Sequence, residues 1–265
     1  MAAAPTRSRR RRVLRIAGAV LLALGLGAAW AWQRTLPLER IEVVGAVHAP
    51  AAEVAALTSA EPDSVALFSL SPALLEDRVA RHPWVAAASV RRLPTGTLRI
   101  AVEERTPVVL ALDGAGRPSH FLDAAGYAMP VAGAAPTLFD VPVLRGAPAY
   151  HPAQPVDDAG LRSLLAALAA ADDETQALVS ELDWGRAVTL WTTPVEGHGS
   201  LPVRLGRAGH ANQLRRLRAF WAQAVRPQPD VRFETVDLRF DGQVVTREAP
   251  RAAPDSTAVP APTPG

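Results

Sequence analysis

The chain has 265 residues, 49% of them hydrophobic and 20% charged, which is enough apolar material for one or two packed domains and too much for a disordered polypeptide. It contains no cysteine, which excludes disulfides, thiolate zinc sites, iron–sulfur clusters and a cysteine nucleophile. All 28 basic residues are arginine, and six of them (Arg7, Arg9, Arg10, Arg11, Arg12 and Arg15) lie in the first 15 positions. The other 22 face 26 acids, so the body of the chain carries a formal charge of −4 and does not read as a nucleic-acid binder.

The arginines open onto an uncharged stretch of 17 residues, Ile16 to Trp32, with Val13 and Leu14 behind the single Arg15. As a helix rising about 1.5 Å per residue, roughly 17 to 20 residues cover the hydrocarbon layer of a bilayer. Arg15 can snorkel to the headgroups on one side, and Trp30 and Trp32 suit the interfacial belt on the other. The arginine excess predicts a cytoplasmic tail at residues 1–12, a span at 13–32 and an exported body. A cleaved signal peptide shares the basic start and small residues such as Ala28, Ala29 and Ala31. The apolar run, however, exceeds the roughly 7 to 15 residues of a signal core and ends in two bulky tryptophans, so a retained anchor is the expectation.

From Leu38 the pattern becomes period two. Ile41 and Val43 share a face and read as a strand ending at Gly45. Pro50 opens a short helical stretch with Val54 and Leu57. Ser71-Pro72, a hydroxyl N-cap followed by proline at the first helical position, opens a second one through Leu75 and Val79. His82-Pro83 stops it. Two strands follow, Trp84 to Leu93 and Thr97 to Glu104, joined by Pro94-Thr95-Gly96. Leu98, Ile100 and Val102 alternate with Arg99, Ala101 and Glu103, the pattern of a sheet with one covered face. Strand, helix, helix, strand, strand makes a compact α+β module in which Trp84 reads as a core plug.

The segments Leu38 to Gly45, Leu67 to Leu70, His82 to Pro94 and Leu98 to Pro107, in that order just outside one membrane span, resemble the POTRA domain of the bacterial FtsQ/DivIB cell-division family. Further on, Val108 to Leu112 reads as a strand, Asp123 to Gly126 as a turn between Phe121-Leu122 and Tyr127 to Met129, and Val141 to Gly146 is similar to a segment of that family's second, β-rich domain. Leu161, Leu164, Leu165 and Leu168 form a helical stripe with Asp157 and Asp158 at its start. Strands are expected at Leu178 to Trp184 and Ala187 to Thr192. Leu201 to Gly206 precedes a second amphipathic helix carrying Leu214, Leu217 and Trp221. Thr235 to Arg247 reads as strand, turn, strand and resembles the C-terminal end of the family.

Residues 249–265, with five prolines and five alanines, show no periodicity and are expected to be disordered. The expected fold class is therefore α+β: one N-terminal transmembrane helix, a βααββ POTRA domain at 38–106, and a β-rich domain with two amphipathic helices at 107–248.

No catalytic constellation emerges. The six histidines are dispersed, with His198 and His210 closest at 12 positions apart, and no serine sits at the centre of a nucleophile elbow. Gly197 to Ser200 reads as a loop, and the acid pairs Asp157/Asp158, Asp172/Asp173 and Glu103/Glu104 read as solvated structural groups at element ends. No catalytic, cofactor or metal residue is expected.

A binding role points instead to an edge. A terminal strand presents unpaired N–H and C=O groups that a partner strand can complete. In the family this C-terminal region captures FtsB, which travels with FtsL, while the POTRA domain and span engage other division proteins. The resemblance places Arg239 and Phe240 on an arginine–aromatic pair, with phenylalanine where tyrosine is common, and Val244, Val245, Thr246 and Arg247 on the docking strand. It implies an inner-membrane, single-pass division scaffold at the septum, with its bulk in the periplasm. Two other readings of the residues stand beside it: an ordinary edge strand blunted by Arg247 and Glu248, and a POTRA-bearing outer-membrane assembly factor. The second would require a downstream barrel of alternating strands, against which the two amphipathic helices speak.

Overall fold

A computed structural model describes residues 7–131, 139–194, 199–228 and 231–249, with side chains from Arg11 onward. The tail after Ala249 and the Gly197-His198 half of the expected loop lie outside the described residues. The chain divides into two compact units, Met1–Glu104 and Arg105–Gly265.

The first unit opens with α1 (Arg7–Thr35), a helix that runs past both ends of the uncharged stretch. Arginine is a good helix former, so helical backbone need not stop where hydrophobicity does. Within it, Arg11–Thr35 is long and apolar enough to cross a membrane. Its Leu14, Leu21, Leu24 and Trp30 are exposed. Next come β1 (Arg40–Val44), α2 (Ala51–Ala56), a 3-10 turn at Leu67–Ser69, α3 (Pro72–Val79), β2 (Val85–Leu93) and β3 (Thr97–Glu104). The strands pair in the order β1-β3-β2, parallel between β1 and β3 and antiparallel between β3 and β2.

Leu98, Ile100 and Val102 of β3 are buried together with Val54, Leu75, Val79 and Trp84, while Arg99, Ala101 and Glu103 face out. The alternation in the sequence is thus the two-faced sheet it suggests. Trp84 stacks on His48 with ring centroids 5.1 Å apart. Ser71 does sit at the N-cap of α3, but its hydroxyl makes no cap bond; its carbonyl accepts Leu75 N–H at 3.1 Å, and Pro72 presets the first turn. Gly45 ends β1 at φ +84°, and a Cβ there would strike the Val102 carbonyl oxygen.

Glu104 departs from expectation. A carboxylate at a strand end is solvated by default, but here the loop after Gly45 folds back over it. Its side chain is only 10% exposed. It accepts the backbone N–H groups of Val47 (2.7 Å), His48 (2.8 Å) and Ala49 (2.8 Å) and pairs with His48 Nδ1 at 2.7 Å. Burial pushes its pKa up, but the donors of Ala49, His48 and Val47 outweigh burial and hold it below the ordinary 4.5.

A carboxylate held below its unfolded value stabilises the fold at neutral pH, and that contribution fades as acid titrates it. Glu104→Ala should therefore cost about 2 to 3 kcal/mol at pH 7, the scale of hydrogen bonds to a charged group. In urea titrations the gap to the parent should shrink as pH falls below 4.5. A gap that stays constant down to acid pH would contradict this role.

The second unit contains β4 (Val109–Leu112), β5 (Pro118–Leu122), β6 (Ala128–Pro130), β7 (Val143–Arg145), α4 (Ala159–Ala169), the short α5 (Asp173–Ala177), β8 (Val179–Trp184), β9 (Val188–Thr192), β10 (Pro202–Leu205), α6 (His210–Phe220), β11 (Phe233–Asp237) and β12 (Val245–Glu248). A π-helical turn, Trp221–Val225, continues α6. Among the described residues these nine strands form one open sheet, β12-β11-β10-β9-β8-β7-β4-β5-β6. β7 enters between β4 and β8 by parallel pairing on both sides.

The leucine stripe of α4 and Leu214, Leu217, Trp221 and Val225 at and after α6 pack with Leu122, Leu144, Leu182, Leu190, Val203 and Val236 of the strands in one core. Asp158 caps α4 through Leu161 N–H (3.0 Å) and accepts Trp184 Nε1–H (2.8 Å), tying the helix start to β8.

Candidate partner-binding edge

β12 is the end strand of the nine-stranded sheet and pairs antiparallel with β11 alone: Val245 opposite Asp237, Thr246 opposite Val236, Arg247 opposite Thr235 and Glu248 opposite Phe233. An irregularity falls between Phe233 and Thr235. All four residues of β12 are exposed, and among the described residues no strand lies on its outer side. Val245 and Arg247 share one face and Thr246 shares the other with the buried Val236. Val244 precedes the strand by one position, so of the four residues expected on it, Val245, Thr246 and Arg247 lie within it.

The link from β11 explains where the edge sits. Leu238 is fully buried and donates its N–H to the Arg204 carbonyl (2.9 Å), which continues the β11 register. The chain then turns at Phe240–Gln243, closed by Gln243 N–H to the Phe240 carbonyl (3.3 Å), with Gly242 at φ +70°. Positive φ at that position favours glycine.

Arg239 does not reach outward as a free cation. Its guanidinium binds the Asp237 carboxylate (2.6 Å from Nη2), and these hydrogen bonds hold Asp237 below the ordinary carboxylate range against the pull of burial. Phe240 is 52% exposed and Val245 46% exposed, an apolar pair beside the turn and the edge. Arg239 lies over the Phe240 ring at 5.8 Å.

The sequence reading missed Arg216. It lies on α6 among the leucines of the amphipathic stripe and passes there for a solvated helix cation. Instead its Nη1 donates to the carbonyls of Phe240 (2.5 Å) and Gln243 (2.7 Å) and its Nη2 to that of Leu238 (2.7 Å). One guanidinium thus gathers three carbonyls of the link that delivers β12. No local pattern signals a contact across 22 to 27 positions.

Among the described residues no group of three His, Asp or Glu side chains could hold a metal. His210 is buried, donates Nε2–H to the Gly206 carbonyl (3.0 Å) and has its pKa lowered by that burial.

Two family models match the chain, one described as POTRA domain, FtsQ-type, over residues 36–105 and one as Cell division protein FtsQ/DivIB, C-terminal, over residues 114–239. The Cell division protein FtsQ of Rhodothermus marinus is 52% identical over 245 residues, covering 90% of this chain and 88% of that protein. Its counterpart from Salinibacter ruber is 41% identical over 249 residues, covering 91% and 95%. The chain belongs to the FtsQ/DivIB cell-division family.

The POTRA match coincides with the β1–β3 module and its connection to α1, as the sequence reading anticipated. The match to the family's C-terminal model stops at Arg239, so the turn and β12 lie just beyond it.

Replacing Arg216 by methionine keeps the aliphatic stem and removes the three donors. The unit should stay folded with a stability loss of about 1 to 3 kcal/mol, the range for hydrogen bonds to a charged group. Amide hydrogen exchange at Val245 to Glu248 should accelerate by at least an order of magnitude more than in β8 or β9. Uniform acceleration across the sheet would mean that Arg216 supports the unit globally and not the edge.

Proposed function

We propose that this FtsQ/DivIB-family chain is a bitopic, non-enzymatic scaffold of the divisome. It would link earlier cytoplasmic and membrane division components to those of septal wall synthesis. Residues 1–12 form a cytoplasmic tail, 13–32 the span in the inner membrane, 38–106 the POTRA domain, 107–248 the β domain, and 249–265 a Pro/Ala-rich extension. The arginine cluster argues for the N-terminus on the cytoplasmic side and the bulk in the periplasm. The partners proposed are FtsB together with FtsL through the β domain, and other division proteins through the POTRA domain and span, at the septum.

One observation carries the mode of binding. β12 has four exposed residues and no proline, and among the described residues a single strand neighbour. A segment of FtsB would extend the sheet beyond it, with main-chain hydrogen bonds providing affinity and Val245, Arg247 and the neighbouring Phe240 reading side chains.

Proline substitution tests this mode directly. Successive N–H groups of a strand point alternately to its two neighbours, so Val245→Pro and Thr246→Pro remove one inward and one outward donor. The variant that loses the inward donor should melt earlier. The other should keep its melting temperature yet lose at least tenfold in capture of FtsB–FtsL in detergent. Undiminished capture by the variant that keeps its melting temperature would defeat the strand-addition mode. For the wider reading, depletion should give filaments, and a fluorescent fusion should form a mid-cell band; normal septation would overturn the division role.

A further inference from the structure

Only four residues separate α1 from β1, and they are not a free linker. Leu67 N–H donates to the Leu36 carbonyl (2.9 Å), Leu38 N–H to the Val65 carbonyl (3.0 Å) and Asp63 N–H to the Leu38 carbonyl (2.7 Å). Pro37 bridges Ala66. The segment leading into the 3-10 turn is therefore zipped to the residues that directly follow the helix.

Depth follows from the proposed span. With Trp32 in the interfacial belt, Leu36 lies about 6 to 8 Å further out, three helical steps of about 1.5 Å to Thr35 plus one step beyond the helix end. The polar layer outside the hydrocarbon is roughly 5 to 8 Å deep on each side. The 3-10 turn bonded to Leu36 is then at headgroup depth.

The side chains gathered there suit that layer. Phe68 and Leu70 are half-buried, and Leu74, one turn on in α3, is 49% exposed. Arg92 donates to the carbonyls of Phe68 and Leu70 (3.1 Å each), its guanidinium 5.1 Å from the Phe68 ring centre. Arg40 stands at the start of β1, and Glu39, Glu61, Asp63 and Asp77 are acids of the neighbouring segments. Apolar side chains beside guanidinium groups are the chemistry of an interfacial contact.

We propose that the 3-10 turn Leu67–Ser69, with Leu70, Leu74 and Arg92, is a second, non-spanning membrane contact of this chain. It rests in the headgroup layer of the bilayer that α1 crosses, apolar groups toward the acyl boundary and Arg92 at phosphate level. The inference depends on the spanning reading of α1. A lone helix leaves the module free to tilt on the membrane, whereas this contact gives it a second footing and a preferred orientation.

The cysteine-free chain allows a clean test with single nitroxide labels on the full protein in vesicles of phosphatidylcholine and phosphatidylglycerol. Ala23→Cys reports the middle of the span and Ser69→Cys the turn. Glu103→Cys serves as the control, since β3 runs parallel to β1 and carries Glu103 to the end away from α1. Collisions with a water-soluble nickel chelate should be several-fold rarer at Ser69 than at Glu103, and rarest at Ala23. Adding Leu74→Glu, an exposed site that leaves the fold intact, should raise chelate access at Ser69 toward the Glu103 level. Equal access at Ser69 and Glu103 with Ala23 immersed would overturn the headgroup contact while leaving the span. Access at Ala23 as high as at Glu103 would bring down both.

Discussion

An open sheet has edges, and each edge strand has a row of main-chain donors and acceptors that something must satisfy. The edges in this chain are finished differently. β6 is three residues long and ends in Pro130, which has no N–H to offer. β2, at the rim of the POTRA sheet, has its Val90 N–H taken by Glu76 Oε1 of α3 at 2.8 Å. β12 has neither device. Its four residues lie exposed beside β11, and the Arg216 cage fixes the turn that leads into them.

The helices account for how the edge is set in register. α4 and α6 contribute to one core with the strands, and the buried positions on β8, β9, β10 and β11 are spoken for by Leu164, Leu165, Leu214, Leu217 and Trp221. That packing settles the register of β11 through Val236 and Leu238. Once β11 is set, the antiparallel pairing of Asp237 with Val245 and Val236 with Thr246 sets β12. A one-residue slip would exchange Thr246 for Val245 opposite Val236 and move every side chain to the other face. The hydrophobic core thus fixes which side chains of the edge face which way, although no residue of β12 is itself buried.

Much of this was legible because local periodicity encodes it. Leu98, Ile100 and Val102 announce a two-faced strand, and Leu161, Leu164, Leu165 and Leu168 announce a helix on a core. Contacts between distant segments were not legible. Glu104 looks like one of two solvated acids until the loop at Val47 to Ala49, more than 50 positions earlier, folds over it. Ser71 looks like a capping hydroxyl, but backbone and proline geometry suffice at that helix start. β7 gives a weak strand signal in three residues, and its place between β4 and β8 depends on two parallel pairings that no spacing rule predicts. At the candidate edge, the strand and turn were readable from Asp241-Gly242 and the valines after it, whereas Arg216, which holds them, was hidden in a helical stripe.

A short open edge poses its own difficulty, since the groups that would receive a chosen strand would also receive an unchosen one. Length and charge limit this here. Four residues supply few hydrogen bonds, and Arg247 and Glu248 place opposite charges side by side, which disfavours a flat stack of identical copies. The same economy would limit affinity for any added strand, because ordering a free peptide offsets much of what a few main-chain bonds return. On the proposed reading the membrane resolves the conflict. Confining both chains to one bilayer raises their effective concentration without a new contact, so an edge too weak to aggregate in solution can still hold an anchored neighbour.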